Sequence, residues 1–268
     1  MSEINRTSIS NGVPGSISTS AAHGTPGSSS ASMAHGTPGL NEMIKIPETA
    51  FIYRVVHRIM EGDCQYDHGP RPVTVGPFYA SKYPVTNAMY ARFLEESHYQ
   101  PADPANYLKH WENGSFRPED ADCPVVYVSQ EDARAYAAFY GCRLPFDSEW
   151  QLMAAGPGKL LYPWGNTFEY GRCNCEGGIL QPVTSYPSGA SPWGCMDMCG
   201  NAWEWTNNCM DDGLHRFTFL RGGCCYKAPH YWHAQGGCHK NNSHLKFHLL
   251  NEGMNRNGTI GFRCVRDL

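Results

Sequence analysis

Gly200-Asn201-Ala202-Trp203-Glu204-Trp205 is the stretch on which the fold of this 268-residue chain turns. Its glycine, paired tryptophans and single carboxylate read as a tight loop held by aromatic packing. Toward the C-terminus follow Leu220-Arg221-Gly222-Gly223 and Ile260-Gly261-Phe262-Arg263. Toward the N-terminus stand Tyr162-Pro163-Trp164-Gly165-Asn166, then Arg143-Leu144-Pro145 with Glu149-Trp150 and Ala154-Ala155. Earlier still come Cys123-Pro124-Val125-Val126 with Asp132-Ala133, and Lys82-Tyr83-Pro84-Val85-Thr86-Asn87 with Tyr90 and Phe93.

Between these stretches the chain alternates short apolar runs with Gly and Pro. Strand-like segments occur at 43–46, 72–75, 78–79 and 125–128. Thr86 and Asn87 can cap a helix whose Tyr90, Phe93 and Leu94 share a face. Ser129 precedes a second, with Ala133, Tyr136, Ala137 and Tyr140 on one stripe and Gly141 placed to end it in the left-handed conformation. A third is expected over 147–155, turning Trp150, Met153 and Ala154 inward. Few helices among irregular strands, in a chain with 28 Gly and 7 Trp, predict an α+β fold whose long loops are held by aromatic packing.

The motifs quoted above, in their order over about 220 residues, resemble the formylglycine-generating enzyme family, also called the sulfatase-modifying-factor family. That resemblance implies a variant of the C-type lectin fold: a loop-rich domain with a small antiparallel sheet and two or three helices. Catalytic members carry two cysteines, five residues apart, just downstream of the Gly-Gly pair, and hold copper with them. The same offsets from Gly222-Gly223 land on Lys227 and Trp232, and neither offers a soft anionic donor. No copper is expected, and Cys224, Cys225 and Cys238 stand nearby at the wrong spacing. The resemblance also implies a structural Ca²⁺ held by backbone oxygens of Asn201 and Ala202 and by the Glu204 carboxylate, with Asn174 in a second site, since calcium takes hard oxygen donors. Alternatively, Glu204 is an ion-pair or capping partner under a tight loop.

Residues 1–41 have a different composition. Ser, Gly, Ala, Thr and Pro dominate, and His-Gly-Thr-Pro-Gly occurs twice, at 23–27 and 35–39. Such a segment buries too little apolar surface to offset its ordering entropy, so it is expected to be a disordered tail tethering residues 42–268 to a larger assembly. A formal charge of −4 argues against nucleic acid, whose phosphates call for clustered cations. No run approaches the roughly 18–20 apolar residues of a spanning helix, so membrane insertion is not expected. Without a visible export signal the compartment is left open, cytoplasmic or at a virion or cell surface through a partner. The 12 cysteines then read as reduced thiols buried as small hydrophobes. Neither Cys173 with Cys175 nor Cys195 with Cys199 has the Cys-x-x-Cys spacing of a structural zinc site.

One segment departs from the family between two well-matched anchors: residues 224–258. There stand Cys224, Tyr226, Lys227, His230, Tyr231, Trp232, His233, His239, Asn241, Asn242, His244, Phe247, His248 and Asn255. Aromatic rings supply contact area at low entropic cost and amides supply adaptable hydrogen bonds, which is the chemistry of a paratope. An alternative is that rings such as Trp232 and Phe247 fill the core. The layout also resembles the variable proteins of diversity-generating retroelements, in which adenine-targeted mutagenesis rewrites surface residues. The expectation is a ligand-binding protein without catalysis, its face recognising a protein or a glycan. Two further readings stay open, a copper oxidase with displaced cysteines and a structural subunit.

Overall fold

The computed structural model describes residues 42–59, 65–175, 177–227 and 236–268. The expected tail at 1–41, and His230, Tyr231, Trp232 and His233, lie outside the described residues. The chain begins with β1 (Met43–Ile46), a long hairpin of β2 (Thr49–Ile59) and β3 (Gln65–Val75), and β4 (Phe78–Ser81). Three helices follow: α1 (Asn87–Ser97), α2 (Gln130–Phe139) and α3 (Asp147–Ala155). After a long irregular stretch come β5 (Trp203–Trp205), β6 (Met210–Asp211), β7 (Arg216–Arg221), β8 (Gly223–Cys224), β9 (Gly237–Cys238) and β10 (Ser243–Leu249). A one-turn helix α4 (Glu252–Asn255) precedes β11 (Ile260–Gly261) and β12 (Val265–Asp267).

Each helix starts where its side chains can satisfy free backbone N–H groups. Thr86 Oγ1 accepts from Met89 N at 3.3 Å at the head of α1. Ser129 and Asp132 form a reciprocal capping box on α2, with Ser129 N donating to the Asp132 carboxylate at 2.6 Å and Asp132 N to the Ser129 hydroxyl at 3.1 Å. On α3 the Glu149 carboxylate reaches back to Phe146 N at 2.7 Å. Gly141 follows α2 with φ of +65°, as its sequence position suggests. The stretch 125–128, expected as a strand, is not one. Pro124, just before it, bridges Thr86, and Tyr127 takes φ of +56°, which breaks the extended run.

Three sheets carry the strands. In the largest the order is β11-β5-β7-β10-β2-β3, with β6 pairing β7; β10 runs parallel to β2 and antiparallel to β7. β4 lies between β1 and β12, and β8 pairs β9. One core cluster joins the inner faces of α1 and α2 to Trp203, Trp205, Leu245, Phe247 and Phe262. Its centre includes Tyr90 stacked on Tyr136 at 5.6 Å. A second cluster packs α3, through Trp150, Leu152 and Met153, on Phe51, Tyr53 and Val55 of β2 and on β4.

Candidate functional site

The alternation within β10 decides which parts of the divergent segment can meet a ligand. Leu245, Phe247 and Leu249 point into the core, where the Phe247 ring lies 5.3 Å from that of Trp205. His244, Lys246 and His248 take the opposite face. There His244 stacks on Phe219 of β7 at 4.0 Å, while Phe217 carries the Lys246 ammonium at 3.9 Å and the His248 ring at 4.9 Å.

Beside this face opens a cavity of about 430 Å³, lined by Tyr53, His57, His68, Arg71, Phe219 and His244. Two of its lining side chains, Tyr53 and His244, are held by Asp147, buried at the start of α3. The Asp147 carboxylate accepts from Arg221 Nε and Nη2 at 2.6 Å each, from His244 Nδ1 at 2.9 Å and from the Tyr53 hydroxyl. Burial pushes this carboxyl up, but the charges of Arg221 and His244 outweigh it and hold it well below the usual carboxylate range. Donation to Asp147 assigns the His244 proton to Nδ1, which leaves Nε2 to face His57 Nδ1 in a short contact. Burial, and then its neighbours His244 and His68, push His57 down to about 4. Burial also lowers His244, against the pull of Asp147. Both rings are therefore neutral near pH 7.

A second cavity, of about 210 Å³, is lined by Arg54, Gln151, Lys159, Leu161, Asn241 and Asn242 among others. Asn241 is tied down by its amide donating to Leu160 O at 3.1 Å and by its own carbonyl accepting from Arg221 Nη1 at 2.8 Å and Gln151 Nε2 at 2.9 Å. The side-chain oxygens of Asn241 and Asn242 are buried and have no hydrogen-bond partner among the described residues.

The expectation of an exposed face over 224–258 is corrected in several places. Tyr226 and Lys227 are exposed, and Asn242 and His248 partly so, but Cys224, His239, Asn241, His244, Phe247 and Asn255 are buried. Cys224 belongs to β8 and its thiol donates to Tyr226 O at 3.1 Å. His239 packs on Trp203 at 4.6 Å, and Asn255 Oδ1 accepts from Leu250 N at 2.9 Å beside α4. Phe247 is a core residue. Asn241 and His244 reach a ligand only through the two cavities. The sequence reading missed Tyr53, His57, His68 and Arg71, which the β2–β3 hairpin brings to the same cavity as His244. The alternation of Phe51, Tyr53, Val55 and His57 was the available signal.

The calcium expectation at Asn201, Ala202 and Glu204 does not fit this geometry. Both Glu204 oxygens accept from Arg263, Oε1 from Nη2 and Oε2 from Nε, at 2.7 Å each, and Oε2 also accepts from Trp150 Nε1 at 2.7 Å. A divalent cation there would sit against a buried guanidinium. Asn201 O accepts from Cys225 N at 2.8 Å, and its Oδ1 from Asn174 Nδ2 and Gln181 N at 3.0 Å each. Asn174, expected in a second calcium site, donates from its Nδ2 to Asn201 Oδ1 and Ile179 O, and its backbone oxygen accepts from Asn201 N at 2.7 Å. Glu204 is an ion-pair partner, the alternative its sequence context left open.

Residues 30–268 match the sulfatase-modifying factor enzyme 1-like domain. The chain is 30% identical over 246 residues to the Mus musculus protein named inactive C-alpha-formylglycine-generating enzyme 2, covering 74% of this chain and 78% of that one. Among solved structures it resembles PvdO from Pseudomonas aeruginosa, with TM-score 0.58 and 21% identity over 84% of this chain and 94% of the other. It also resembles Treponema denticola variable protein 1, with TM-score 0.53 and 15% identity over 84% of this chain and 95% of the other. At these identities the two structures speak to fold alone, and they are of the formylglycine-generating-enzyme and C-type lectin kind. With its motifs paired as described and most of its length matched, the chain belongs to the sulfatase-modifying factor enzyme 1-like family.

Proposed function

We propose that this domain is a non-catalytic binding protein that presents part of the 224–258 segment, with the two cavities beside it, to a protein or glycan ligand. The observation that carries the reading is the pair of buried, unpartnered amide oxygens of Asn241 and Asn242 at the wall of a cavity. A buried acceptor without a donor costs about 1–3 kcal/mol, so a ligand that donates hydrogen bonds there recovers what the free protein forgoes. Hydroxyl groups and amides are such donors. Tyr226 and Lys227, exposed in the same segment, offer a ring and a charge.

Two comparisons support the absence of catalysis in this reading. The mouse relative is named inactive, and one of the similar folds belongs to a variable protein. The family's copper positions hold Lys227 and Trp232 in this sequence, and Cys224 and Cys225, just before Lys227, are buried. Fold alone does not decide function, so the test has to be made at the site. Incubated with a cysteine-containing sulfatase peptide, Cu(I) and oxygen, the protein is expected to leave the peptide unchanged; formylglycine formation would overturn the reading. On a glycan and protein array, binding by the wild-type chain is expected to fall about tenfold or more in an Asn242→Ala variant with unchanged thermal stability. In the neighbouring DNA, a near-copy of the final codons beside a reverse transcriptase would extend the reading to a diversified protein.

A further inference from the structure

Four cysteines from three separate parts of the chain meet in one place. Cys173 and Cys175 come from the irregular stretch after α3, Cys199 from the loop that leads to β5, and Cys238 from β9. Cys173 Sγ stands 3.5 Å from Cys175 Sγ and 3.2 Å from Cys238 Sγ, and all three sulfurs lie within 4.8 Å of one another. Cys175 and Cys238 are in bonding contact. Cys199 packs in the same cluster as Cys173 and Cys175, and its thiol donates to His239 O at 3.6 Å. Tyr162, Trp164 and Phe168 pack over the group.

We propose that Cys173, Cys175, Cys199 and Cys238 are the ligands of a structural zinc ion. A zinc–thiolate bond of about 2.3 Å in a tetrahedron separates neighbouring sulfurs by about 3.8 Å. Cys173 Sγ, at 3.5 Å from Cys175 and 3.2 Å from Cys238, stands with them within reach of one ion once Cys175 and Cys238 part, and Cys199, packed in the same cluster, supplies the fourth donor. The backbone is built for the approach. Gly200 has φ of +81°, and a Cβ at that position would stand 2.3 Å from Asn174 O and 3.1 Å from Cys238 Sγ. A side chain there would hold Cys238 and the Cys173–Cys175 loop away from Cys199.

The reading of these thiols as separate buried hydrophobes, drawn from their spacing, is thereby replaced. Spacing rules describe ligands paired within one short turn, whereas this cluster is assembled by tertiary structure from three parts of the chain. A lone disulfide between Cys175 and Cys238 would use two of the sulfurs and leave Cys173 in contact with both and Cys199 beside them. Zinc uses all four. Once a thiol reductant has supplied the two electrons that open the Cys175–Cys238 disulfide, binding breaks four S–H bonds, releases their protons to solvent and forms four Zn–S bonds. Four thiolates complete the coordination shell, so the ion has no open position for a substrate and its role is structural. Because Cys238 lies inside the divergent 224–258 segment, the ion pins that segment to two loops of the scaffold. This proposal does not rest on the binding function above and survives its failure.

The test is metal content. Full-length protein, expressed with zinc and purified under reducing conditions without chelator, is expected to carry close to one zinc per chain by elemental analysis and native mass spectrometry. Replacement by cobalt(II) is expected to give the thiolate charge-transfer and d–d absorption of a tetrahedral sulfur site. Cys173→Ser and Cys199→Ser each lower zinc affinity by at least about tenfold, while Cys209→Ser, at an exposed cysteine outside the cluster, leaves it unchanged. Metal-free wild-type protein under these conditions overturns the proposal whether or not the variants fold. So does a wild-type mass lighter by a pair of hydrogens with no zinc, the signature of the disulfide alone. Full zinc occupancy at unchanged affinity in Cys173→Ser overturns it as well.

Discussion

Arg263 is fully buried with its charge, and Glu204 is what makes that tolerable. Both nitrogens of the fork meet both oxygens of the carboxylate at 2.7 Å, and Nη2 also donates to Met196 O at 2.7 Å. Arg221 with Asp147 and Arg256 with Asp132 are built the same way. The charged members of the motifs Gly-Asn-Ala-Trp-Glu-Trp, Leu-Arg-Gly-Gly and Ile-Gly-Phe-Arg are thus scaffold, each pinning one stretch to another. Removing one partner strands a charge without water. Glu204→Gln is therefore expected to lose about 3–5 kcal/mol of unfolding free energy in urea, whereas replacing Glu204 and Arg263 together by methionine recovers most of it. A loss below about 1 kcal/mol in the single variant would show the pair to be solvated. With the carboxylate committed to Arg263, added calcium is expected to leave the thermal midpoint of the wild-type protein unchanged.

At the scale of elements, β10 shows where sequence reading succeeds and where it stops. The first two helices announced themselves because capping is local: Thr86 and Ser129 act on backbone within three residues of themselves. The alternation Leu245, Phe247, Leu249 was legible in the same way, yet the Asn- and His-rich composition around it suggested a surface, and the strand proved to be an inner one of the large sheet. What no local pattern reveals is the partner strand. His244 acquires its role only because β2 runs parallel to β10 and brings His57 opposite it. That contact has a pH signature. The pair faces Asp147, Arg221, His68 and Lys246, and burial keeps His57 near about 4 and His244 below its ordinary value. His110, also lowered to about 4 by burial, adds to the effect. An unfolded histidine titrates near ~6.5, so between about 6.5 and about 4 the unfolded chain binds protons that the folded one does not. Stability consequently falls as pH falls through that window and is insensitive to these groups above it. Thermal midpoints measured from about pH 7.5 to about pH 4.5 are expected to decline, with a shallower slope in His57→Gln; a flat profile would mean the rings are not held neutral.

For the molecule as a whole, the two ends of the stretch between Lys227 and Gly236 are held by contacts among the described residues. β8 and β9 pair Gly223 with Cys238 and Cys224 with Gly237, and Gly237 N donates to Tyr226 O at 2.8 Å. Farther out, Cys225 O accepts from Gly178 N at 2.9 Å, and β10 is locked between β7 and β2. The approach is close enough to demand glycine, since Gly223 has φ of +89° and a Cβ there would lie 2.0 Å from Gly237 O. Loop closure depends on length only logarithmically and hardly at all on which residues fill it. Replacing residues 228–235 with an equally long Gly/Ser sequence is therefore expected to change unfolding free energy by no more than about 1 kcal/mol while abolishing any binding that the wild-type loop supports. Gly223→Ala should do the reverse, lowering stability because the β8–β9 pair cannot close around a side chain with that backbone conformation. If the exchanged loop unfolds the protein, the stretch is part of the core and cannot serve as a replaceable display surface; if binding persists unchanged, recognition resides in the cavities at Asn241 and His244 instead.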